Sequence, residues 1–189
     1  LPEEDYQSFR QTFNDVFEMR PEELQLGFLK MLRGTGVRIR AAEHDYIYMD
    51  HSPYEILGNN VLSFDDITRI KQVEDVLEKY WNDHRMNETV EFLVTHSFDT
   101  PFDFFQDFGT FWDERGWSRI GHQLEDLFKC LYEFLQATNQ QQLPTIKAIM
   151  KYDYLRNQKY KPRKPWWEDL VSKEDRTNFY KEIEENPDA

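Results

Sequence analysis

Cysteine is nearly absent: Cys130 is the single thiol in 189 residues. No disulfide framework can form, and neither a zinc knuckle nor an iron–sulfur centre can be assembled from this chain, because each needs several thiolates. A reducing compartment, the cytoplasm by default, is the expectation. Long apolar runs are missing too. No stretch approaches the roughly eighteen residues that a bilayer-spanning helix needs, no signal peptide is expected, and the mean hydropathy is −0.82. Positive charge is scarce, with 23 Lys and Arg against 36 Asp and Glu and a formal net charge of −13. Such a field repels phosphate backbones and anionic membranes, so neither nucleic acid nor membrane is an expected partner. Lys159, Lys161, Arg163 and Lys164 form a local basic exception, read as a linker that packs Trp166 and Trp167 on the body. Glycine is sparse as well, at 7 residues. No G-x-G-x-x-G, phosphate-loop or G-x-S-x-G pattern occurs, so a glycine-loop nucleotide site and serine-hydrolase chemistry have no support.

What the chain does have is rings: 15 Phe, 10 Tyr and 5 Trp. Each removes a large apolar surface from water, so a core dominated by aromatic packing is expected. The apolar periodicity is mostly helical. Tyr6, Phe9, Phe13, Val16 and Phe17 share one helix face, with Pro21 as the stop. Ser63 and Asp66 make a capping box ahead of Ile67, Ile70, Val73, Leu77, Tyr80 and Trp81. A shorter helix is expected from Glu88 to His96. Thr100-Pro101 places a cap before a proline at the first helical position and opens a stripe of Phe102, Phe105, Phe108 and Trp112. Ile120, Leu124, Leu127, Phe128, Leu131, Phe134 and Leu135 give the strongest amphipathic helix. Pro144 opens another through Tyr154, and Ser172 with Asp175 caps a terminal one.

One segment breaks the pattern. Leu24 to Leu32 is a near-continuous apolar run of strand length, which predicts a strand buried on both faces. Its partner within the chain is expected at Tyr46–Met49; failing that, its edge should recruit a second copy of the chain. The fold class is therefore mainly α, a multi-helical domain preceded by one helix–strand unit, with at most a small two-stranded β element.

Candidate chemistry is thin. His44, His51, His84, His96 and His122 show no i, i+4 pair for a metal. Glu43, His44, Asp45, Asp50 and His51 cluster in sequence, and the plainer reading is a solvated connection. Cys130 reads as a core residue. No catalytic or metal residue is nominated.

The opening Leu1-Pro2-x-Glu4, then Ser8-Phe9, Thr12-Phe13, Arg20-Pro21-x-x-Leu24-x-Leu26 and Leu32-x-Gly34-Thr35, resembles the end of a radical S-adenosylmethionine barrel. There a Gly-Leu-Pro-x-Glu turn, a helix and a sixth strand lead to a Gly-Thr turn. Further on, Pro53-Tyr54-Glu55-x-Leu57, Leu62-Ser63-Phe64-Asp65-Asp66-Ile67, Lys71-x-Val73-Glu74, Pro101-Phe102-x-Phe104-Phe105 and Tyr152-Asp153-Tyr154-Leu155-Arg156-Asn157 are similar to the helical C-terminal domain of bacterial cobalamin-binding proteins of that family. These are loosely described as iron–sulfur oxidoreductases and are distant relatives of magnesium-protoporphyrin ester cyclases.

The resemblance implies a parent protein with a cobalamin-binding domain and a barrel whose three-cysteine loop holds a four-iron cluster. Leu1 in place of a starting Met agrees with a piece of a longer chain. The expected layout is residues 1–40 as the last helix and strand of the barrel, 41–158 as the helical C-terminal domain, and 159–189 as the basic linker and terminal helix. It implies an oxidoreductase or methyltransferase in which this piece, lacking the cluster loop and any cofactor of its own, closes the substrate mouth or docks against the rest of its parent. Gly27, Phe28, Leu29 and Lys30 on the sixth strand are nominated toward the adenosyl group of S-adenosylmethionine. Barrel core is the alternative for Phe28 and Leu29, whereas Lys30 should reach the mouth or pair with a carboxylate. The competing expectation is a stand-alone helical module that binds another protein.

Overall fold

A computed structural model describes residues 3–138, 140–158 and 165–168, together with Ser172, Glu174, Asp175, Thr177, Asn178 and Lys181. The fold is mainly helical with a small antiparallel ribbon. Helix α1 (Tyr6–Glu18) starts at Asp5, whose carboxylate accepts the Ser8 N–H at 2.8 Å. It buries Phe13 and Phe17. A short α2 (Gly36–Ile39) and a 3₁₀ turn (Ala41–His44) precede the ribbon of β1 (Ile47–Tyr48) and β2 (Ile56–Gly58).

Helix α3 (Phe64–Leu77) has the expected capping box: the Asp66 N–H donates to Ser63 Oγ at 3.1 Å and the Ser63 N–H to Asp66 Oδ2 at 3.0 Å. One π-helical turn, Glu78–Asn82, extends it. The remaining helices are α4 (Asn87–His96), α5 (Pro101–Glu114), α6 (Leu124–Ala137) and α7 (Leu143–Asn157). Thr100 caps α5 ahead of Pro101, as its sequence signals. Ile120, expected on the face of α6, instead lies before that helix and is 60% exposed.

The main core is a mesh of rings. Phe13 meets Phe102 edge-on at 5.4 Å, Phe17 meets Trp81 at 4.6 Å, and Tyr80 meets Phe108 at 4.8 Å. The aromatic stripe of α5 is thus spent on packing rather than on lining a cavity. Gly109 lets α5 approach α3 closely, since a Cβ there would sit 2.6 Å from the Gln72 carbonyl oxygen. Trp166 stacks on Phe128 at 5.8 Å and Trp167 lies edge-on to Tyr154 at 5.7 Å, so both tryptophans pack on the body. Lys159, Lys161, Arg163 and Lys164 lie outside the described residues. So does most of the expected terminal helix, of which the Ser172–Asp175 cap is seen. A second, smaller core joins Met31, Tyr46, Ile56, Leu62, Ile67 and Ile70.

The segment 24–32 is not the strand its apolar run predicts. It is extended chain with one isolated antiparallel bridge, Lys30 to Glu55. Among the described residues only one edge is paired: Met31 N–H donates to the Tyr54 carbonyl at 2.7 Å, and Ile56 N–H to the Leu29 carbonyl at 2.9 Å. Nor is it buried on both faces, because Met31 is fully buried while Lys30 and Leu32 are exposed. β1, within the expected Tyr46–Met49 run, pairs with β2 instead of with this segment. Among the described residues no helix is long and apolar enough to cross a membrane.

Candidate functional site

The approach of residues 20–32 to the bundle is fixed by the π-helical turn. Trp81 Nε1 donates to the Pro21 carbonyl at 3.1 Å. Asn82 accepts the Leu24 N–H at 2.9 Å and returns a hydrogen bond to the Leu24 carbonyl at 3.2 Å. A side-chain amide thus imitates a strand neighbour, satisfying both polar groups of one backbone unit. Arg20 anchors the turn before it through two bonds to Glu91, at 2.7 and 2.9 Å.

Along this extended chain Phe28 and Leu29, both half-buried, pack against the small core and Met31 is buried within it, while Lys30 is exposed. Beside Phe28 lies a compact polar cluster. Lys71 Nζ donates to Glu55 Oε2 at 2.5 Å and lies 5.1 Å from the centre of the Phe28 ring. Glu55 is mostly covered, with its side chain 19% exposed. Glu74, three residues along α3 from Lys71 and so on the same face, has its carboxyl pushed up by burial. Lys71 opposes that shift, and Glu55 adds to it. A fixed cation, an aromatic face and a carboxyl that holds its proton more tightly than usual therefore share one patch.

Of the four nominated residues, Gly27 leaves open space where a side chain would stand, and Phe28 and Leu29 both pack on the small core, with Phe28 also lying under Lys71. Lys30 faces Glu55 across the bridge but is exposed and does not pair with it, because the Glu55 carboxylate is taken by Lys71. Of the two expectations for Lys30, a carboxylate partner or a place at the barrel mouth, the first is not met among the described residues and its exposure leaves the second open. Glu55, Lys71 and Glu74 were visible in the sequence only as members of separate motifs; the i, i+3 spacing of the last two was the available signal.

The histidines do not gather. His51 pairs with Asp50 at 2.7 Å in full solvent, lowering the Asp50 carboxyl, while His44 lies against Tyr46. His96 stacks on Phe92, and His122 Nε2 lies 2.8 Å from the Trp117 carbonyl. Among the described residues no group of three or more His, Cys, Asp or Glu is placed to hold a metal ion. Cys130 is buried on α6, and burial pushes its thiol up to about 12. Elsewhere, an open groove of about 720 Å³ runs between α4 and α7, bounded by Glu88, Glu91, Phe92, His96, Ile149 and Tyr152.

Residues 42–188 match the model of a family described as protein of unknown function, DUF4080. The chain belongs to that family. Glu55, Lys71 and Glu74 fall inside the DUF4080 match, whereas Phe28 and Lys30 precede it, so the cluster joins the family domain to the segment ahead of it. No curated protein and no solved structure matches the chain.

Proposed function

We propose that this chain is the C-terminal part of a cobalamin-dependent radical S-adenosylmethionine enzyme, in which residues 24–32 add an edge strand to the barrel and the DUF4080 domain closes or docks on its mouth. The observation that carries the reading is the half-paired edge of that segment. Leu29 and Met31 bond to Tyr54 and Ile56, while the backbone N–H and C=O of Phe28 and the N–H of Lys30 have no partner among the described residues. Extended backbone of this kind is completed by a further strand. The sequence resemblance names the barrel as its source.

The four-iron cluster of such a parent does not fit this chain, whose one thiol is in the core. Its ligands belong to the barrel loop. S-adenosylmethionine fits better: open space at Gly27, the Phe28 ring and the unpaired backbone beside it offer one wall for an adenosyl group. When bound with the cluster, that cofactor supplies radical chemistry. This chain's share is to wall the site, with Lys71 held against Phe28 by Glu55.

The test is the reading frame ahead of Leu1 and its product. The whole protein, reconstituted without oxygen and reduced with dithionite, is expected to release 5′-deoxyadenosine, and Phe28→Ala to slow that release. A reading frame with no three-cysteine loop refutes the assignment. In the chain by itself the open edge is expected to pair with a second copy, which light scattering reads as a dimer. A second reading, a helical module that binds another protein, is favoured by the α4–α7 groove, beside which Tyr152 is 57% and Leu155 43% exposed.

A further inference from the structure

The chain carries 36 carboxylates against 23 Lys and Arg, yet residues 24–42 hold Lys30, Arg33, Arg38 and Arg40 and no acidic residue at all. In so acidic a protein, cations ordinarily find carboxylates, as Arg10, Arg20, Lys71, Lys79, Arg115 and Lys129 do here. None of the four in this segment pairs with a carboxylate among the described residues, and the next acids along the chain, Glu43 and Asp45, make no ion pair with them. Among the described residues their charges are left without a direct ion pair.

Among them is Arg38. The turn at Gly34, with φ +81, and the bond from Thr35 Oγ1 to the Leu32 carbonyl fold α2 back over Met31. There Arg38 Nη1 donates to the Met31 carbonyl at 2.9 Å. The guanidinium carbon lies 5.2 Å from the Tyr48 ring and 5.8 Å from the Tyr54 ring. One N–H and two aromatic faces orient the guanidinium, and among the described residues no carboxylate uses its remaining donors. Arg40 curls over the same short helix, with Nε 3.4 Å from the Gly36 carbonyl. An arginine held in plane with spare N–H groups matches the fork geometry of a bidentate oxyanion.

We propose that Arg38, with Arg33 and Arg40 adding positive charge a few residues away along the chain, binds the oxyanion group of a small molecule, a carboxylate or a phosphate. This goes beyond the barrel reading and is measured on the chain itself. The probes are sodium pyrophosphate and sodium citrate, added to the ¹⁵N-labelled chain and followed by the Arg38 Nε–Hε signal and by calorimetry. Saturable binding near or below about 1 mM is expected, weakening with added salt. Saturation by pyrophosphate alone assigns a phosphate, and by citrate alone a carboxylate.

Arg38→Lys keeps the charge and loses the fork, so affinity should fall about tenfold. The exposed double variant Arg33→Gln/Arg40→Gln should weaken binding without disturbing the fold. No saturation by either probe, undiminished binding in the double variant, or shifts confined to Lys159–Lys164 would overturn the proposal. Such a failure leaves the barrel reading standing, because that reading is scored by 5′-deoxyadenosine.

Discussion

Replacing Asp153 is the most direct test of how α7 is joined to the body. Asp153 is 2% exposed, and its Oδ2 accepts both the Thr89 N–H at 2.8 Å and the Thr89 hydroxyl at 2.7 Å. Thr89 lies in the first turn of α4, where backbone N–H groups have no partner within the helix. A residue of α7 thus caps α4 from across the core, and the carboxylate also meets the positive end of that helix. Asp153→Ala leaves two buried donors unsatisfied, at about 1–3 kcal/mol each, so a loss of about 3 kcal/mol is expected. For a chain of this size that is a fall of roughly 6–12 °C in Tm. Asp153→Asn keeps an acceptor and should lose about half as much.

The pH dependence has a definite sign. Burial pushes the Asp153 carboxyl up from its ordinary 3.8, against the lowering effect of the Thr89 bonds. The folded protein therefore binds this proton more tightly than the unfolded chain. The associated stability is full below pH 3.8 and is lost as pH rises through the raised value. Calorimetry of wild type and Asp153→Asn from about pH 3.5 to pH 7 should show the wild-type advantage shrinking through that window. A Tm unchanged within about 1 °C in Asp153→Ala, or an advantage that grows with pH there, would refute the reasoning.

Three other outcomes follow from the geometry. Gly109→Ala drives a methyl into the Gln72 carbonyl and should cost about 1–3 kcal/mol despite alanine's better helix propensity, read as a lower urea midpoint at unchanged slope. Asn82→Ala removes both bonds to Leu24; hydrogen exchange should speed up at the bonded amides of Leu24 and Met31 while α5 and α6 keep their protection. Cys130, with its thiol raised to about 12, should resist iodoacetamide in the native protein and react once urea unfolds it; stoichiometric native labelling would contradict the burial.

The helices were legible because their ends and faces are both written locally. Ser63-Asp66 and Thr100-Pro101 mark starts, and the apolar positions recur at helical spacing behind them. Ile120 misled because an apolar residue in phase with a helix is not thereby inside it. The error at 24–32 has a different origin. An apolar run does not say what covers it, and here the pairing partner is a kinked stretch in which Tyr54 has φ +58. No alternation announces such a partner. Of the polar cluster the sequence points to Phe28 alone; Glu55, Lys71 and Glu74 lie on two other segments that only the fold brings together. The arginines of residues 33–40 are hard to see in the composition because a mean charge of one sign hides a short stretch of the other.

Helix α3 contributes Ile67 and Ile70 to the small core and Val73, Val76 and Leu77 to the large one. It is a single beam built into two foundations. The ribbon cannot come apart while the beam stays seated, so both cores should melt as one calorimetric unit. Lys71 on that rod meets Phe28 and the turn at its end grips Leu24, so the two ends of the extended segment rest on one helix.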